Sequence, residues 1–284
     1  MATTLNQFDD PEGRWRVSRP ALRYFGGAWL RAAWIAAFFP PAGGQGHRGY
    51  LEPCAGAASV LFHKPPCKVE TLNDLDGRVV NFFRVLRDRP AELIEAIELT
   101  PWGEDEYHRA LRPCRRPLED ARRFFLICWA SVRGGPNPGP GDFRWQKALT
   151  RRSAATQDVA RLDQLHEAAA RLRRTQIMNR DALDLIGDVI HADKTGDYLI
   201  YFDPPYLHGT RTNRRGYRHE VDDDWHVAAA GLLRRARGPV VVSGYPSPLY
   251  AELYEAHGWR RYERPFVTNS GGKRMEAVWV NWEG

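Results

Sequence analysis

The chain has 284 residues, 43% of them hydrophobic, so it is long enough for one large core with an insertion or for two small domains. Its net charge of +6 and pI near 9.2 permit a polyanionic partner. The first ten residues lack the basic and apolar blocks of a signal peptide, and no apolar run approaches the ~20 residues of a membrane span. We therefore expect neither a membrane protein nor a secreted one.

The cysteines also indicate a protein that is not secreted. They show no C-x-x-C spacing and no paired framework, which predicts reduced thiols in a cytoplasmic protein and no metal site. The four are Cys54, Cys67, Cys114 and Cys128.

The chain begins with residues 1–20, which are polar and contain prolines, and we expect an N-terminal arm there. Residues 28–39 follow with helical periodicity, and Pro40-Pro41 ends the predicted helix. The Gly26-Gly27 pair before this helix would let backbone N–H groups approach a ligand's carboxylate or phosphate. A plain flexible hinge explains the two glycines equally well.

Residues 49–53 predict a short strand, and the small residues 54–59 predict a tight turn into a helix. This turn lacks the full G-x-G-x-x-G spacing, which argues against a dinucleotide oxidoreductase. Asp74 ends the next predicted strand about 20 residues later, where a Rossmann-like unit hydrogen-bonds a ribose. Asp74 could equally cap a helix over 75–86, and the two roles are compatible.

Between about residues 90 and 174 the pattern changes to helices joined by loops. Residues 124–129 are apolar on all sides and predict a buried helix. Residues 109–152 hold eleven Lys or Arg against three acidic residues, interleaved with aromatic residues. Basic residues usually form a solvated face, but this concentration favours a nucleic-acid contact by about two to one. The candidate contacts here are Arg133, Arg144 and Lys147.

The apolar residues 198–202 predict a buried strand, and Asp203-Pro204-Pro205-Tyr206 follows at once. The strand cannot continue, because each proline ring removes a ladder donor and fixes φ. Asp203 therefore lies at the carboxyl end of a strand, where open α/β sheets bind their ligands. A Pro-Pro turn capped by a core tyrosine is the alternative, with about a third of the weight for the motif taken alone.

The remaining elements extend the α/β pattern on either side of this turn. Residues 175–179 resume it as a strand, and Asp181 opens the next helix. Residues 207–218 form an arginine-rich loop without apolar periodicity, which suggests a lid that grips phosphates, although three following aspartates could neutralise it. Its candidate contacts are Arg211, Arg214 and Arg215. The later predicted strands are 240–245, 259–266 and 275–282, the last two as a closing hairpin.

The order of motifs over roughly residues 21–284 resembles that of the Dam-type (D12 class) adenine-N6 DNA methyltransferases, in the alpha-type order with a recognition insert before Asp-Pro-Pro-Tyr. The motifs are Tyr-x-Gly-Gly, Glu-Pro-x-x-Gly-x-x-Ser, Asn-Asp-Leu-Asp-Gly, Asn-Arg-Asp-Ala-Leu, Asp-Pro-Pro-Tyr and Ser-Gly-Tyr-Pro-Ser-Pro-Leu-Tyr.

The resemblance implies an α/β, Rossmann-like methyltransferase sheet with an inserted, mainly helical target-recognition subdomain. The catalytic domain would comprise residues 21–89 and 175–284, and the insert residues 90–174. The implied activity is site-specific adenine-N6 methylation of double-stranded DNA with S-adenosyl-L-methionine, acting on a flipped-out adenine. Such an enzyme can belong to a restriction-modification system, so a cognate restriction endonuclease is a further candidate partner.

The resemblance also implies roles for individual residues. Asp203 and the carbonyl of Pro204 would accept the two hydrogens of the adenine amine, and the carboxylate would stabilise the developing positive charge. Pro205 would keep the turn rigid, and Tyr206 would offer a face to the extruded base. The implied cofactor site comprises Tyr24, Gly26, Gly27, Ala28, Glu52, Pro53, Cys54, Ala55, Gly56, Ser59, Asp74, Leu75, Asp181, Ala182 and Asp203.

Two positions depart from the family pattern. Ala28 stands where a lysine usually pairs with the cofactor's carboxylate, and Cys54 stands where phenylalanine is usual. Loss of a charged partner would weaken cofactor binding by ~1.5–3 kcal/mol. Two other functions stay open: methylation of another exocyclic amine, such as cytosine N4 or an RNA base, and DNA binding by a decayed methyltransferase fold.

Overall fold

The structure, a computed structural model, describes residues 15–24, 28–44, 46–132, 135, 137–145, 161–210, 218–267 and 273–282. Its centre is a seven-stranded sheet. The strands are β1 (Gly49–Glu52), β2 (Val69–Asn73), β3 (Thr175–Met178), β4 (Tyr198–Phe202), β5 (Val240–Gly244), β6 (Arg260–Val267) and β7 (Lys273–Val280). Across the sheet they run in the order β3-β2-β1-β4-β5-β7-β6. β1 to β5 are parallel, and β7 is antiparallel to both of its neighbours.

Helices connect and cover these strands. In the described residues they are α1 (Trp29–Ala36), α2 (Gly77–Asp88), α3 (Pro90–Glu98), α4 (Glu104–Ala110), α5 (Pro117–Ala130), α6 (Asp163–Leu172), α7 (Ala182–Ala192), α8 (Asp223–Leu233) and α9 (Pro248–Leu253). Side-chain caps mark several starts, because a short polar side chain can accept an otherwise unpaired N–H of the first turn. The capping side chains are those of Asp76, Asp181, Asp222 and Ser247.

The alternation of side chains along β4 explains why the sheet carries helices on both faces. Leu199 and Tyr201 pack in one apolar cluster, with residues of α1, α2, α5 and α6. Ile200 and Phe202 pack in the other, with residues of α7, α8 and α9. Successive side chains of a strand point to opposite faces, so a fully apolar strand must be covered twice. The predicted α/β, Rossmann-like fold is confirmed.

The strand order positions the ligand site. β1 pairs with β2 on one side and with β4 on the other. The sheet therefore extends in opposite directions from the junction of β1 and β4. In an open α/β sheet such a switch point leaves a crevice outside the carboxyl ends of the strands. The residues after β1 and β4, which include Cys54 and Asp203, therefore lie at one edge of the sheet.

Two predictions about the helices near this edge are wrong. The small residues after β1 do not lead into a helix but into hydrogen-bonded turns, with Ala58 N donating to Ala55 O at 2.7 Å. Helix α2 begins at Gly77 and is capped by Asp76, whose side chain accepts from Arg78 N. Asp74 does not cap it, because its two carboxylate oxygens accept from other backbone N–H groups.

The segment between residues 90 and 172 consists of helices joined by turns and loops in its described part, with one isolated β-bridge between Ser131 and Phe143. The predicted buried helix at 124–129 is confirmed as part of α5. A buried ion pair between Arg78 and Asp120, 3.2 Å apart, joins α5 to α2. A second, between Arg171 and Glu70, joins α6 to β2. The helices are thus fixed to the sheet, and their assignment as a target-recognition subdomain stays a prediction.

Candidate active site

Asp203 follows β4 and is held from the neighbouring strand. Ser243 Oγ on β5 donates to Asp203 Oδ1 at 2.6 Å, and the Tyr201 hydroxyl lies 3.0 Å from Ser243 Oγ. Burial raises the pKa of Asp203 above its ordinary value, while the charge of Arg31 and the hydrogen bond from Ser243 oppose the rise. The hydrogen bond therefore fixes the orientation of the carboxylate, and burial makes its ionisation unfavourable.

Tyr206 is packed within the protein. Tyr206 is only 6% exposed. Its hydroxyl donates to Glu276 Oε2 at 3.2 Å, and its ring contacts the Tyr245 ring edge-on, with centroids 4.7 Å apart. Pro204 is buried as well, whereas Asp203 and Pro205 are partly exposed. In this conformation Tyr206 presents little of its face, so its stacking on an extruded base stays a prediction.

An open cleft with about 890 Å³ of empty volume lies beside this turn. Every described residue that was predicted to hold the cofactor lines it. These residues are Tyr24, Ala28, Glu52, Pro53, Cys54, Ala55, Gly56, Ser59, Asp74, Leu75, Asp181, Ala182 and Asp203. Gly26 and Gly27, predicted with them, lie outside the described residues. One cleft thus unites positions that are up to about 180 residues apart, because the switch point gathers the strand ends.

The turn after β1 is built around Gly56 and Asp74. Gly56 has φ +49°, a left-handed conformation that glycine adopts without steric cost, and a Cβ there would lie 3.2 Å from the Tyr24 ring. Gly56 N donates to Asp74 Oδ2 and Asp76 N donates to Asp74 Oδ1, both at 2.8 Å. Asp74 therefore joins the ends of β1 and β2 while facing the cleft.

Two carboxyl groups of the cleft, those of Glu52 and Asp74, have raised pKa values. Burial raises the pKa of Glu52 to about 8, although the Tyr50 hydroxyl donates to its Oε2 at 2.8 Å. Burial also raises the pKa of Asp74 to about 6, against the hydrogen bonds that it accepts. At neutral pH Glu52 is mostly protonated, so it can donate a hydrogen bond to a ligand.

The structure adds lining residues that the sequence did not assign. They are Ala57, Val60, Asp76, Tyr201, Arg218, His219, Val221 and Trp225. Arg218 Nη1 donates to Asp76 Oδ1 at 3.3 Å, and both residues line the cleft. Asp76 could have been found in the Asn-Asp-Leu-Asp-Gly motif. Trp225, stacked on Phe202 with centroids 5.7 Å apart, had no signal in the sequence, because it lies 23 positions away from Phe202 in the chain.

Two buried polar atoms of the cleft lack hydrogen-bond partners among the described residues. They are Ser59 Oγ and Asp76 Oδ2. Buried polar groups are nearly always satisfied, so unpaired ones at a cleft wall indicate contact with a ligand or with water. The cleft therefore offers the Ser59 hydroxyl as a donor and several carboxylates as acceptors, beside apolar walls.

Of the predicted DNA contacts, only Arg144 lies within the described residues. It is half-buried, and its backbone N donates to Ala130 O at 2.6 Å, which holds it near the end of α5. The other candidates lie outside the described ranges. They are Arg133, Lys147, Arg211, Arg214 and Arg215.

Membrane-spanning and metal-binding features are absent from the described ranges. None of the helices described is both long and apolar enough to cross a bilayer. No cluster of three or more His, Cys, Asp or Glu side chains suited to a metal ion occurs there either. The cysteines in this part of the chain form no disulfide.

Comparison with known proteins gives a family match that spans both the cleft and the turn at Asp203. The family model described as D12 class N6 adenine-specific DNA methyltransferase matches residues 24–264. The type II methyltransferase M1.LlaDCHI of Lactococcus lactis subsp. cremoris is 21% identical over 300 residues, with 93% of this chain and 95% of that protein covered. Among solved structures, the rRNA methyltransferase AviRa from Streptomyces viridochromogenes has a TM-score of 0.39 and 14% identity, and the match covers 97% of this chain and 93% of that one.

Proposed function

The chain belongs to the D12 class N6 adenine-specific DNA methyltransferases, and from this premise we propose that it methylates an adenine extruded from double-stranded DNA, at the turn after β4. The main support for this proposal is the position of Asp203 between the cleft and the Asp-Pro-Pro-Tyr turn. It lines the cleft that suits a nucleoside-bearing methyl donor, and it begins the Asp-Pro-Pro-Tyr turn.

Asp203 and Pro204 turn the exocyclic amine of adenine into a nucleophile. An aromatic amine shares its lone pair with the ring and is a poor nucleophile. When Asp203 and the Pro204 carbonyl accept its two N–H groups, the lone pair turns toward the methyl donor, and the carboxylate stabilises the positive charge that develops on nitrogen. Ser243 fixes the carboxylate for this purpose, because a hydrogen bond of 2.6 Å restricts its rotation.

The residues of the cleft fit S-adenosyl-L-methionine, which supplies an electrophilic methyl group when bound. Asp74 lies at the end of β2, where a carboxylate accepts hydrogen bonds from a ribose. Ser59 Oγ is a free donor for the carboxylate of the amino-acid part, and Asp181, Ala182 and Trp225 line the same cleft.

The DNA surface is assigned to two basic segments of the sequence. Arg133, Arg144 and Lys147 belong to the segment with the greatest excess of positive charge, and Arg211, Arg214 and Arg215 follow the catalytic turn. Phosphate contacts of this kind position a duplex without reading its sequence. A cytoplasmic location and a cognate restriction endonuclease complete the proposal, in keeping with reduced cysteines and the type II relative.

The test is methyl transfer by the purified protein from methyl-labelled S-adenosyl-L-methionine to duplex DNA, followed by digestion and mass spectrometry of the nucleosides. We expect the label in N6-methyldeoxyadenosine. Label in N4-methyldeoxycytidine, or transfer to RNA but not to DNA, would assign another amine. Absence of transfer together with DNA binding would indicate a decayed enzyme.

The substitution Ala28→Lys is expected to change the affinity for S-adenosyl-L-methionine by less than about three-fold, whereas Ser59→Ala should weaken it by about ten-fold, or ~1.4 kcal/mol. Ala28 lines the cleft, and the two arginines nearest to it in the sequence, Arg23 and Arg31, are engaged in other contacts. Arg23 donates to Ser131 O and Val132 O at 2.8 and 2.9 Å, and Arg31 pairs with Glu276. The Ser59 hydroxyl lines the same cleft and has no hydrogen-bond partner among the described residues.

Calorimetric titration of the wild type and both variants measures this. Ten-fold or greater tightening by Ala28→Lys would show that the site has lost a needed cation. An unchanged affinity in Ser59→Ala would move the carboxylate contact to another group.

Replacement of Arg133, Arg144 and Lys147 by alanine is expected to weaken DNA binding and to flatten its salt dependence by roughly three units of slope, about one for each phosphate that the variant no longer neutralises. The measurement is the dissociation constant by fluorescence anisotropy over a range of salt concentrations. A matched control replaces Arg48, Arg87 and Arg89, which lie toward the amino ends of the strands. If the two triple variants have equal slopes, the DNA surface lies elsewhere.

A further inference from the structure

Behind the catalytic turn lies a buried ion pair that joins the first helix to the last strand. Arg31 on α1 contacts Glu276 Oε1 on β7, with side chains that are 12% and 5% exposed. The other oxygen of Glu276 accepts the hydroxyl of Tyr206 at 3.2 Å. One carboxylate therefore holds both the arginine and the tyrosine of the Asp-Pro-Pro-Tyr turn.

The pair also acts on Asp203 through its charges. Arg31 is the strongest influence opposing the rise in the pKa of Asp203, and Asp203 in turn contributes to the raised pKa of Glu276. Arg31, Glu276 and Asp203 thus form one electrostatic unit. One cation against two carboxylates leaves a single negative charge uncompensated, and the reaction generates a single positive charge on the amine nitrogen.

We propose that Arg31 and Glu276 are positioning residues for methyl transfer: Glu276 pairs with the guanidinium of Arg31 and anchors Tyr206, so that Arg31 does not offset the negative charge that Asp203 offers to the amine. The proposal rests on the role of Asp203 in the proposed function. It assigns a task to two residues that lie 245 positions apart in the chain and belong to none of the sequence motifs.

The charges predict opposite effects for the two partners. Without Glu276, Arg31 faces Asp203 alone, favours its ionised form and offsets its charge. Without Arg31, the carboxylates of Glu276 and Asp203 repel each other, and ionisation of Asp203 becomes harder. A purely structural salt bridge would not produce shifts of opposite sign, because loss of either partner would only loosen the same contact.

Other titratable groups surround Asp203 and stay unchanged in both variants. They are Glu52 of β1, Cys54 after it, Tyr201 of β4 and Tyr206 of the turn. Their effect on Asp203 is common to the wild type and the variants, so a difference between the two variants reports the charges of Arg31 and Glu276.

The experiment measures the single-turnover rate of methyl transfer against pH, at saturating DNA and S-adenosyl-L-methionine, so that product release does not mask chemistry. Glu276→Gln keeps the shape and the acceptor oxygen. It should move the acid limb to lower pH by about one unit and lower the plateau rate about ten-fold. Arg31→Met should move the limb to higher pH by about one unit, with a plateau within about three-fold of the wild type.

Two further variants test whether the effects of the single substitutions can be compensated or rescued. The double variant Arg31→Met/Glu276→Gln should return both limb and plateau toward the wild type, and Arg31→Lys should stay close to it. Arg48→Met and Asp197→Asn, an exposed pair at the amino ends of β1 and β4, serve as matched controls and should leave the profile unchanged.

Shifts in the same direction, no shift in Glu276→Gln, or a double variant worse than both singles would overturn the proposal. If Arg31→Met does not fold, the downward shift of Glu276→Gln and the behaviour of Arg31→Lys decide alone. An acid limb that persists in Asp203→Asn would show that the limb does not belong to Asp203, and it would overturn the proposed role of Asp203 together with this inference, whereas the outcomes above overturn the inference alone.

Discussion

Replacing Asp203 by alanine is expected to lower the single-turnover rate of methyl transfer by at least about 10²–10³-fold, the scale seen when one preorganised transition-state contact is removed. The carboxylate acts on the amine and its developing charge, not on phosphates. DNA binding should therefore stay within about two-fold of the wild type. The rate is measured with excess enzyme over labelled duplex, and DNA binding by fluorescence anisotropy.

The raised pKa of Asp203 determines how the rate of methyl transfer changes with pH. Burial raises the pKa of Asp203, so activity that needs its ionised form should be lost as pH falls, at a higher pH than for an ordinary aspartate. Asp203→Asn is the matched control for shape, because the amide keeps an acceptor oxygen but loses the charge. Its rate should fall between those of the wild type and Asp203→Ala. Turnover of Asp203→Ala near the wild-type rate would end the catalytic assignment.

Replacing Glu70 by alanine is expected to reduce the free energy of unfolding by about 3–5 kcal/mol, because two buried cations lose their counter-charge. Glu70 Oε1 lies 2.6 Å from Lys64 Nζ and 2.7 Å from Arg171 Nη2, and the side chains of all three are at most 3% exposed. A loss of that size should lower the midpoint of thermal unfolding by about 6–20 °C. Circular dichroism during heating measures it.

Asp188→Ala supplies the control. Asp188 pairs with Arg180 at 2.8 Å, but their side chains are 63% and 40% exposed, and such surface pairs contribute less than about 1 kcal/mol. Burial alone would raise the pKa of Glu70, but Arg171 and Lys64 lower it below the ordinary value. Its contribution to stability is therefore present at neutral pH and is lost as pH falls through the folded-state pKa. Equal midpoints for the two variants would contradict this role of Glu70.

The sequence predicts those parts of the site that are local in the chain. The position of Asp203 follows from five apolar residues and two prolines, and the cap at Asp181 follows from a short acidic side chain before a helix. Asp74 is predicted at the tip of β2 and lies there, although the helix after it begins two residues later than predicted, at Gly77. In each case the signal lies within a few residues of its consequence.

Contacts between distant segments carry no such signal. The apolar residues of α1 do not reveal its packing, because Leu30 is 74% exposed while Ala32 and Ile35 are buried. The contact of Arg218 with Asp76 spans 142 positions and depends on how the chain returns after β4. Pairings of this kind follow from the order of the strands, which hydrophobic periodicity does not specify.

The most direct test of adenine methylation at Asp203 is mass spectrometry of nucleosides from the DNA of cells that express either the wild type or Asp203→Ala. We predict N6-methyldeoxyadenosine above the background of the host with the wild type and none above it with the variant. Equal amounts of the modified nucleoside from both strains, or its absence from the strain expressing the folded wild type, would contradict this mechanism.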